Sequence, residues 1–330
     1  MNGGNQENPL LTARNLTVAF NTDEGRFRAA EDVNFRIGRG ESVGLVGESG
    51  CGKSVTALAL TRLIPSPPGE IASGKVFFEG EDLLSMKSAD LRRIRGNSIS
   101  MIFQEPFSAL SPLHRIGRQL VEAVMLHRRI SRKEAWGFCE QWLQKVGIAD
   151  AGERMYSYPH QLSGGMQQRI MIAMGLMLEP ALIIADEPTT ALDVTTQAQI
   201  FALLGNMKHN FSSLLLITHD MGVVWEMCER VMVMYASRIV ETGSREAVFR
   251  HPAHPYTQGL LDAIPRLSGG RQRLTDIPGQ VPSPFAYPRG CRFQERCRFA
   301  RDRCRREDPP LFDCGGGQQA ACFLADPAEK

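Results

Sequence analysis

Partial alternation of apolar and polar side chains opens the chain at residues 10–20, 27–37 and 75–79, with turn-rich breaks at 21–25 and 65–69. Alternation of this kind predicts strands with one buried face. Apolar runs without clean alternation follow at 42–46, 99–103, 181–185 and 214–218. They predict strands buried on both faces, as in a parallel sheet flanked by helices. A helix is expected at 55–63. Between Pro106 and Pro180 the pattern turns helical, most clearly at 118–127 and 133–146, and 231–235 with 238–240 predict a late hairpin. After His251 the chain becomes rich in Pro, Gly, Arg and Cys. That shift predicts a boundary between a main domain, 1–250, and a small appendage, 251–330. No repeat of 20–50 residues is visible, and no heptad run is long enough for a coiled coil.

Composition narrows the class. The 330 residues allow about two or three compact units. Hydrophobic residues at 43% and charged residues at 22% exclude wholesale disorder. Lys and Arg number 38 against 36 Asp and Glu, a net of +2, which gives no basis for nucleic-acid binding through bulk charge. No apolar run reaches the roughly 18 residues of a membrane span; the nearest, 170–185, is broken by Glu179 and Pro180. The polar start has no secretory core. The expectation is a cytoplasmic chain that cannot form a pore by itself.

Two segments carry phosphate chemistry. Gly47-Glu48-Ser49-Gly50-Cys51-Gly52-Lys53-Ser54 fits G-x-x-x-x-G-K-S/T at every fixed position, after a predicted strand and before a predicted helix. Its glycines let several N–H groups point at one phosphate, and the helix start adds a positive dipole end. Lys53 is expected to reach the β- and γ-phosphates and Ser54 to bind Mg²⁺. The apolar run 181–185 ends in Asp186 and Glu187. An acid pair at the C-terminal end of a central parallel strand lies where ligands bind. Asp186 would hold Mg²⁺ through its water shell and Glu187 would polarise an attacking water.

Leu162-Ser163-Gly164-Gly165-Met166-Gln167-Gln168-Arg169 is a second anion-binding helix start. It resembles the signature of ATP-binding cassette (ABC) ATPases, and Gln104, the turn Ala191-Leu192-Asp193 and His219 match that family in order. The resemblance implies an α/β P-loop cassette: a mixed, mainly parallel core sheet, an N-terminal antiparallel β-subdomain and a helical subdomain at about 106–180. It also implies a nucleotide held between two subunits. Lys53, Ser54, Gln104, Asp186, Glu187 and His219 of one chain would face Ser163, Gly164, Gly165 and Gln167 of the other. Gln104 would ligate Mg²⁺ and sense the γ-phosphate, His219 would contact that phosphate, and Asp193 would cross the dimer interface. Phe20 is the first candidate for stacking on adenine and Phe27 the second.

Met101-Ile102-Phe103-Gln104-Glu105-Pro106, Ser111-Pro112 and His254-Pro255-Tyr256-Thr257-Gln258-Gly259 resemble the peptide/nickel branch of bacterial importers. The resemblance covers nearly the whole chain. It implies ATP-driven import of di- or oligopeptides, or of a nickel chelate. The implied partners are a homologous second ATPase, two membrane permease subunits and an extracytoplasmic substrate-binding protein, and the implied place is the cytoplasmic face of the membrane. Residues 105–118, with Phe107, Leu110 and Leu113, are the expected contact surface for the permease. The alternative is a non-transport cassette acting on nucleic acid; the absence of a coiled coil and of a second cassette speaks against it.

Five of the eight cysteines fall in the last 40 residues: Cys291, Cys297, Cys304, Cys314 and Cys322. In a cytosolic chain such a cluster suggests a metal before disulfides. The spacings C-x5-C and C-x6-C match neither common zinc modules nor bacterial ferredoxins, so spacing leaves zinc and iron–sulfur open. The importer resemblance implies a [4Fe–4S] cluster on Cys291, Cys297, Cys304 and Cys322, with Cys314 in reserve. Residues 289–306 hold eight Arg against one Asp and one Glu, a charge expected to offset that of the thiolates.

Overall fold

The first alternating segments form a long antiparallel pair, β1 (Leu11–Thr22) and β2 (Gly25–Ile37), with Leu11 opposite Ile37 and Phe20 opposite Phe27. The computed structural model describes residues 9–105, 109–189, 192–209, 212–264 and 277–329. Among the described residues no helix is long and apolar enough to cross a membrane. The chain divides into two compact units, one drawn from Met1–Ile37, Ser42–Leu84 and Ile217–Lys330, the other from Gly38–Glu41 and Ser85–Leu216.

In the first unit β1 also pairs with β4 (Gly69–Phe78), and β5 (Glu81–Asp82) completes a four-stranded sheet ordered β2-β1-β4-β5. The strand β4 starts six residues before the alternation suggests. Its first half reads as a turn because it contains Gly69 and Gly74, yet both are needed by the sheet. Gly74 has φ +105, and a Cβ there would lie 2.6 Å from Leu16 Cα, at the irregularity in the β1–β4 register.

Beside this sheet, β3 (Ser42–Val46) pairs in parallel with β9 (Arg230–Tyr235), and β9 turns back into β10 (Arg238–Ser244). The turn residues Ala236 and Ser237 have φ +44 and +72. This left-handed pair, usually Asn-Gly, is held by the Ser237 hydroxyl, which donates to Arg28 O at 3.0 Å and lies 2.7 Å from Tyr287 Oη. The cysteine-rich tail adds two strands to the same sheet, β11 (Phe312–Gly315) and β12 (Gln318–Ala320), with Glu241 opposite Ala320. The tail thus extends an existing sheet edge. The fully buried Glu241 carboxylate accepts from the N–H groups of Ala253 and His254, each at 2.9 Å, and from Gln318 Nε2 at 2.7 Å.

In the second unit β6 (Ile99–Ile102) runs parallel to β7 (Leu182–Asp186), with Ile102 opposite Ala185, and β8 (Ser213–Ile217) continues the order β8-β7-β6. All residues of β7 and β8 are buried, which explains their lack of alternation. Helices Ile116–His127 and Arg132–Lys145 pack against each other, the second started by a capping box between Ser131 and Glu134 and in contact with the helix Gly164–Leu176, which lies on β6.

Candidate functional site

The strand β3 delivers the chain into the loop 47–52, and the helix Lys53–Leu60 leaves it. Two positions admit only glycine. Gly47 has φ +153, and a Cβ there would lie 2.2 Å from Met234 O; Gly52 has φ +106, and its Cβ would lie 2.2 Å from Ala29 O. Gly52 is the N-cap of the helix and offers no side-chain acceptor, so the first-turn N–H groups face the loop as an anion would need. Lys53 is buried, its Nζ donating to Gly47 O at 2.8 Å and Glu48 O at 2.9 Å. Ser49 and Gly50 are exposed and Ser54 is half-buried. Cys51 is buried, and burial pushes its thiol pKa up against the opposing charge of Lys53. Sequence reasoning missed the two residues that hold Glu48. The Arg296 guanidinium donates twice to its carboxylate, at 2.7 and 2.9 Å, and its N–H donates to Tyr256 Oη at 2.8 Å. Only the arginine-rich composition around 296 hinted at a role there.

In the same unit Phe20 stacks on Phe27, with ring centroids 5.7 Å apart and planes 18° apart, and Phe285 meets Phe27 edge-on at 4.9 Å. Both adenine candidates therefore belong to one half-buried aromatic cluster. His219 is exposed just beyond β8. The next residue, Asp220, caps the helix Met221–Met227 by accepting from Gly222 N and Val223 N, at 2.8 and 3.2 Å, and this fixes the backbone beside His219.

The second unit holds the acids. Asp186 ends β7 and is buried; Glu187 follows with φ +45. A non-glycine residue in that left-handed region carries a cost of about 1–2 kcal/mol. Gln104 Nε2 donates to Glu187 Oε2 at 3.3 Å, a pairing that follows from the parallel register of β6 and β7. Ser163 is exposed and caps the helix Gly164–Leu176, its Oγ accepting from Met166 N at 3.3 Å. Gly164 and Gly165 open that helix. A Cβ on Gly164 would meet nothing within 4 Å, so no atom of this chain requires a glycine there. Gln167 differs from the other signature candidates: it is 2% exposed, and its Nε2 donates to Pro159 O and Leu162 O at 2.8 and 3.1 Å, bracing the turn. Gln168 Nε2 donates to Pro188 O at 2.6 Å and so ties this helix to the loop behind the acids. Asp193 is exposed and accepts from Thr196 N and Oγ1 at 3.0 and 2.8 Å, which lowers its pKa. Of the expected permease surface, Leu110 is buried and Leu113 is 81% exposed. Phe107 and Ala191 lie outside the described residues.

In the tail, Cys291, Cys297, Cys304 and Cys322 line one small cavity of about 20 Å³, together with Phe293 and Phe299. Cys314 is not among its lining residues; its Sγ lies 3.7 Å from Phe312 O. Burial, with a smaller contribution from the neighbouring thiols, pushes the thiol pKa of Cys291 up to about 11 and that of Cys322 up to about 12. Such thiols ionise only with a compensating cation. Among the described residues no group of three or more His, Cys, Asp or Glu side chains is arranged to hold a metal ion. Four of the eight arginines are placed differently from expectation. Arg292 is engaged by Glu31, Arg296 by Glu48, Arg301 by Glu329, and Arg303 by Asp326, Glu307 and Glu329. Carboxylates take up the charge of these four, whereas Arg298 acts on Cys297, opposing the rise that burial imposes on its thiol pKa.

Residues 30–190 match the family model of the ABC transporter, and 240–304 match that of the oligopeptide/dipeptide transporter C-terminal region. A probable peptide ABC transporter ATP-binding protein of Sinorhizobium fredii is 49% identical, covering 97% of this chain and 98% of its own. The oligopeptide transport ATP-binding protein OppD of Haemophilus influenzae is 48% identical over 98% of this chain and 99% of its own; that of Escherichia coli is 46% identical over 96% and 94%. Among solved structures, the dimeric ATP-binding cassette MJ0796, in a post-hydrolysis state with ADP and phosphate, superposes with a TM-score of 0.65 at 26% identity, over 71% of this chain and 98% of its own. With the phosphate loop, the strained acid and the capped signature helix all on this fold, the chain belongs to the ATP-binding subunits of the oligopeptide/dipeptide branch of ABC transporters, and it is an ATPase.

Proposed function

We infer that this ATPase energises the import of di- or oligopeptides across the cytoplasmic membrane from its cytoplasmic face. The observation that carries the reading is identity of nearly one half to peptide-transport ATPases along almost their whole length, C-terminal region included. The proposed partners are a homologous second ATPase, two permease subunits and an extracytoplasmic substrate-binding protein.

Each candidate residue has a role toward Mg-ATP. The backbone N–H groups of 47–52 and the Lys53 ammonium bind the β- and γ-phosphates. Ser54, Gln104 and Asp186 hold Mg²⁺, which neutralises phosphate charge when bound. Glu187, oriented by its hydrogen bond from Gln104, takes the proton of the attacking water, and His219 contacts the γ-phosphate. Phe20 or Phe27 offers a ring to adenine. Ser163, Gly164 and Gly165 serve the nucleotide of the partner ATPase, with Asp193 at that interface. The open space at Gly164 supports this role, because a glycine with no neighbour in its own chain suits the close approach of another. Gln167 supports the signature from behind.

Cys291, Cys297, Cys304 and Cys322 are proposed to hold a [4Fe–4S] cluster that cross-links the tail. Their placement around one cavity, without Cys314, supports that ligand set.

Purification of the tagged full chain from native membranes in mild detergent tests the transport reading. Two polytopic membrane subunits and a second ATPase are expected to copurify. Recovery with ribosomes or nucleic acid, and without membrane subunits, would favour the nucleic-acid ATPase instead.

A further inference from the structure

The phosphate loop is held at Glu48 by residues from the C-terminal region, and by three different bonds. Its carbonyl accepts from Lys53 Nζ at 2.9 Å. Its N–H donates to the hydroxyl of Tyr256, a side chain with no exposed surface. Its carboxylate takes both terminal nitrogens of Arg296, whose side chain is 5% exposed. Glu48 directly follows Gly47, where the loop turns against Met234 O, so fixing Glu48 fixes the entry to the loop.

The two outer bonds belong to a built arrangement. Arg296 Nε donates to Pro278 O at 2.9 Å, which leaves the two terminal nitrogens aimed at Glu48. The guanidinium lies 5.7 Å from the Tyr235 ring centre and 5.9 Å from that of Phe293. Tyr256 packs on Tyr235 at 4.6 Å and on Phe293 at 5.5 Å. Planar bidentate pairing in a desolvated setting is the strong, orientation-setting form of the Arg–carboxylate bond. On the other side, Phe293 lines the cavity of the four cysteines, and Arg296 directly precedes Cys297.

We propose that Arg296 and Tyr256 are positioning residues for ATP binding: the C-terminal region clamps Glu48 and so holds the phosphate loop ready for the nucleotide. The inference rests on the reading of 47–54 as the ATP loop. Neither residue touches the phosphates; each acts through Glu48. The clamp lowers the ordering cost of binding, so its loss appears in ATP affinity and not in turnover at saturation. The same clamp links the cysteine cavity to the loop, because Phe293 lines that cavity and packs on Tyr256, and Arg296 adjoins Cys297 in the chain.

The test measures Kd for Mg-ATP by calorimetry, and KM and kcat in the complex purified from membranes, for the full chain and for Arg296→Met, Glu48→Gln, Tyr256→Phe, Arg296→Lys and Lys53→Ala. Arg296→Met is expected to weaken binding about 10-fold and Tyr256→Phe about 5-fold. KM should rise in step while kcat stays within about twofold. Glu48→Gln should match Arg296→Met, with the double variant no worse than either, and Arg296→Lys should restore binding only in part. If Arg296→Met does not fold, Tyr256→Phe, which removes one hydroxyl from a packed cluster, carries the same reading. Unchanged Kd in Arg296→Met, Glu48→Gln and Tyr256→Phe, with binding lost in Lys53→Ala, would overturn the clamp and leave the ATP loop standing. Unchanged Kd in Lys53→Ala would remove the ATP loop and the clamp together.

Discussion

Gly52→Ala separates the geometry of the phosphate loop from its composition. The substitution keeps every hydrogen-bonding group of the loop and adds one methyl. At φ +106 an L-residue is strained by about 1–3 kcal/mol. The new Cβ would stand 2.2 Å from Ala29 O and 2.9 Å from Met234 Cε. A carbon–oxygen contact is comfortable from about 3.3 Å, so the overlap with Ala29 is about 1 Å. The methionine tip can move, whereas the Ala29 carbonyl belongs to β2. Overpacking of this kind costs a further 1–3 kcal/mol or so, giving about 2–6 kcal/mol if nothing relaxes. The loop relaxes more readily than the strand, since Ser49 and Gly50 are exposed, so the expected response is a displacement of about 1 Å. If about 3 kcal/mol of that cost persists in the nucleotide-bound loop, affinity falls about 10²-fold. Calorimetric titration with Mg-ATP should show that loss, with a native circular-dichroism spectrum retained. Gly50→Ala is the control: at φ +77 with nothing within 4 Å, it carries only the left-handed penalty of about 1–2 kcal/mol. Binding by Gly52→Ala within about threefold of the parent would refute the argument.

Three further outcomes are expected. The isolated chain should hydrolyse ATP weakly, at a rate per molecule that rises with its concentration and with addition of the homologous ATPase; full activity in a demonstrated monomer would contradict the two-chain site. Cys304→Ser should lower yield and assembly more than turnover per assembled complex. Anaerobically purified parent protein should contain iron and absorb broadly near ~400 nm. Stoichiometric zinc without iron would remove the cluster and keep the ligands, and absence of both metals would remove the metal reading of the tail. Glu31 is pushed up by burial but pulled down further by Arg292, Arg28 and Arg238, to a pKa of about 2 against an ordinary 4.5. Its depressed value means stability present above about pH 4.5 and lost as pH falls toward 2, about 2 kcal/mol of it between pH 6 and pH 3. Urea unfolding at the two pH values should show that difference in the parent and a smaller one in Glu31→Gln.

The strands that carry the site were legible because their burial is simple. The apolar run 42–46 is β3, residue for residue, and 99–103, 181–185 and 214–218 fall within one residue of β6, β7 and β8 at each end. Buried strands leave unbroken apolar runs, and nothing in the interior competes with that signal. The start of β4 was hidden because glycines that a bulge requires look like loop residues in a string. The phosphate loop was legible for the opposite reason: its backbone positions admit so few residues that the motif is the geometry. Glu48 stands at a variable place in that motif. Its partners, Arg296 and Tyr256, lie more than 200 residues away, and no local period links them to it. The basic run at 289–306 was legible as charge but not as pairing, since Glu31, Glu48, Asp326 and Glu329 reach it only through the fold.

Hydrolysis with Glu187 as the base is the central claim. Its most direct test is ATP turnover and ATP retention by Glu187→Gln, measured in the complex purified with its membrane subunits. Amide for carboxylate keeps the shape and the contact with Gln104 but removes the proton acceptor. The account predicts turnover reduced by roughly 10²-fold or more, with Mg-ATP still bound and a closed, ATP-loaded dimer accumulating. Turnover within about twofold of the parent would contradict it.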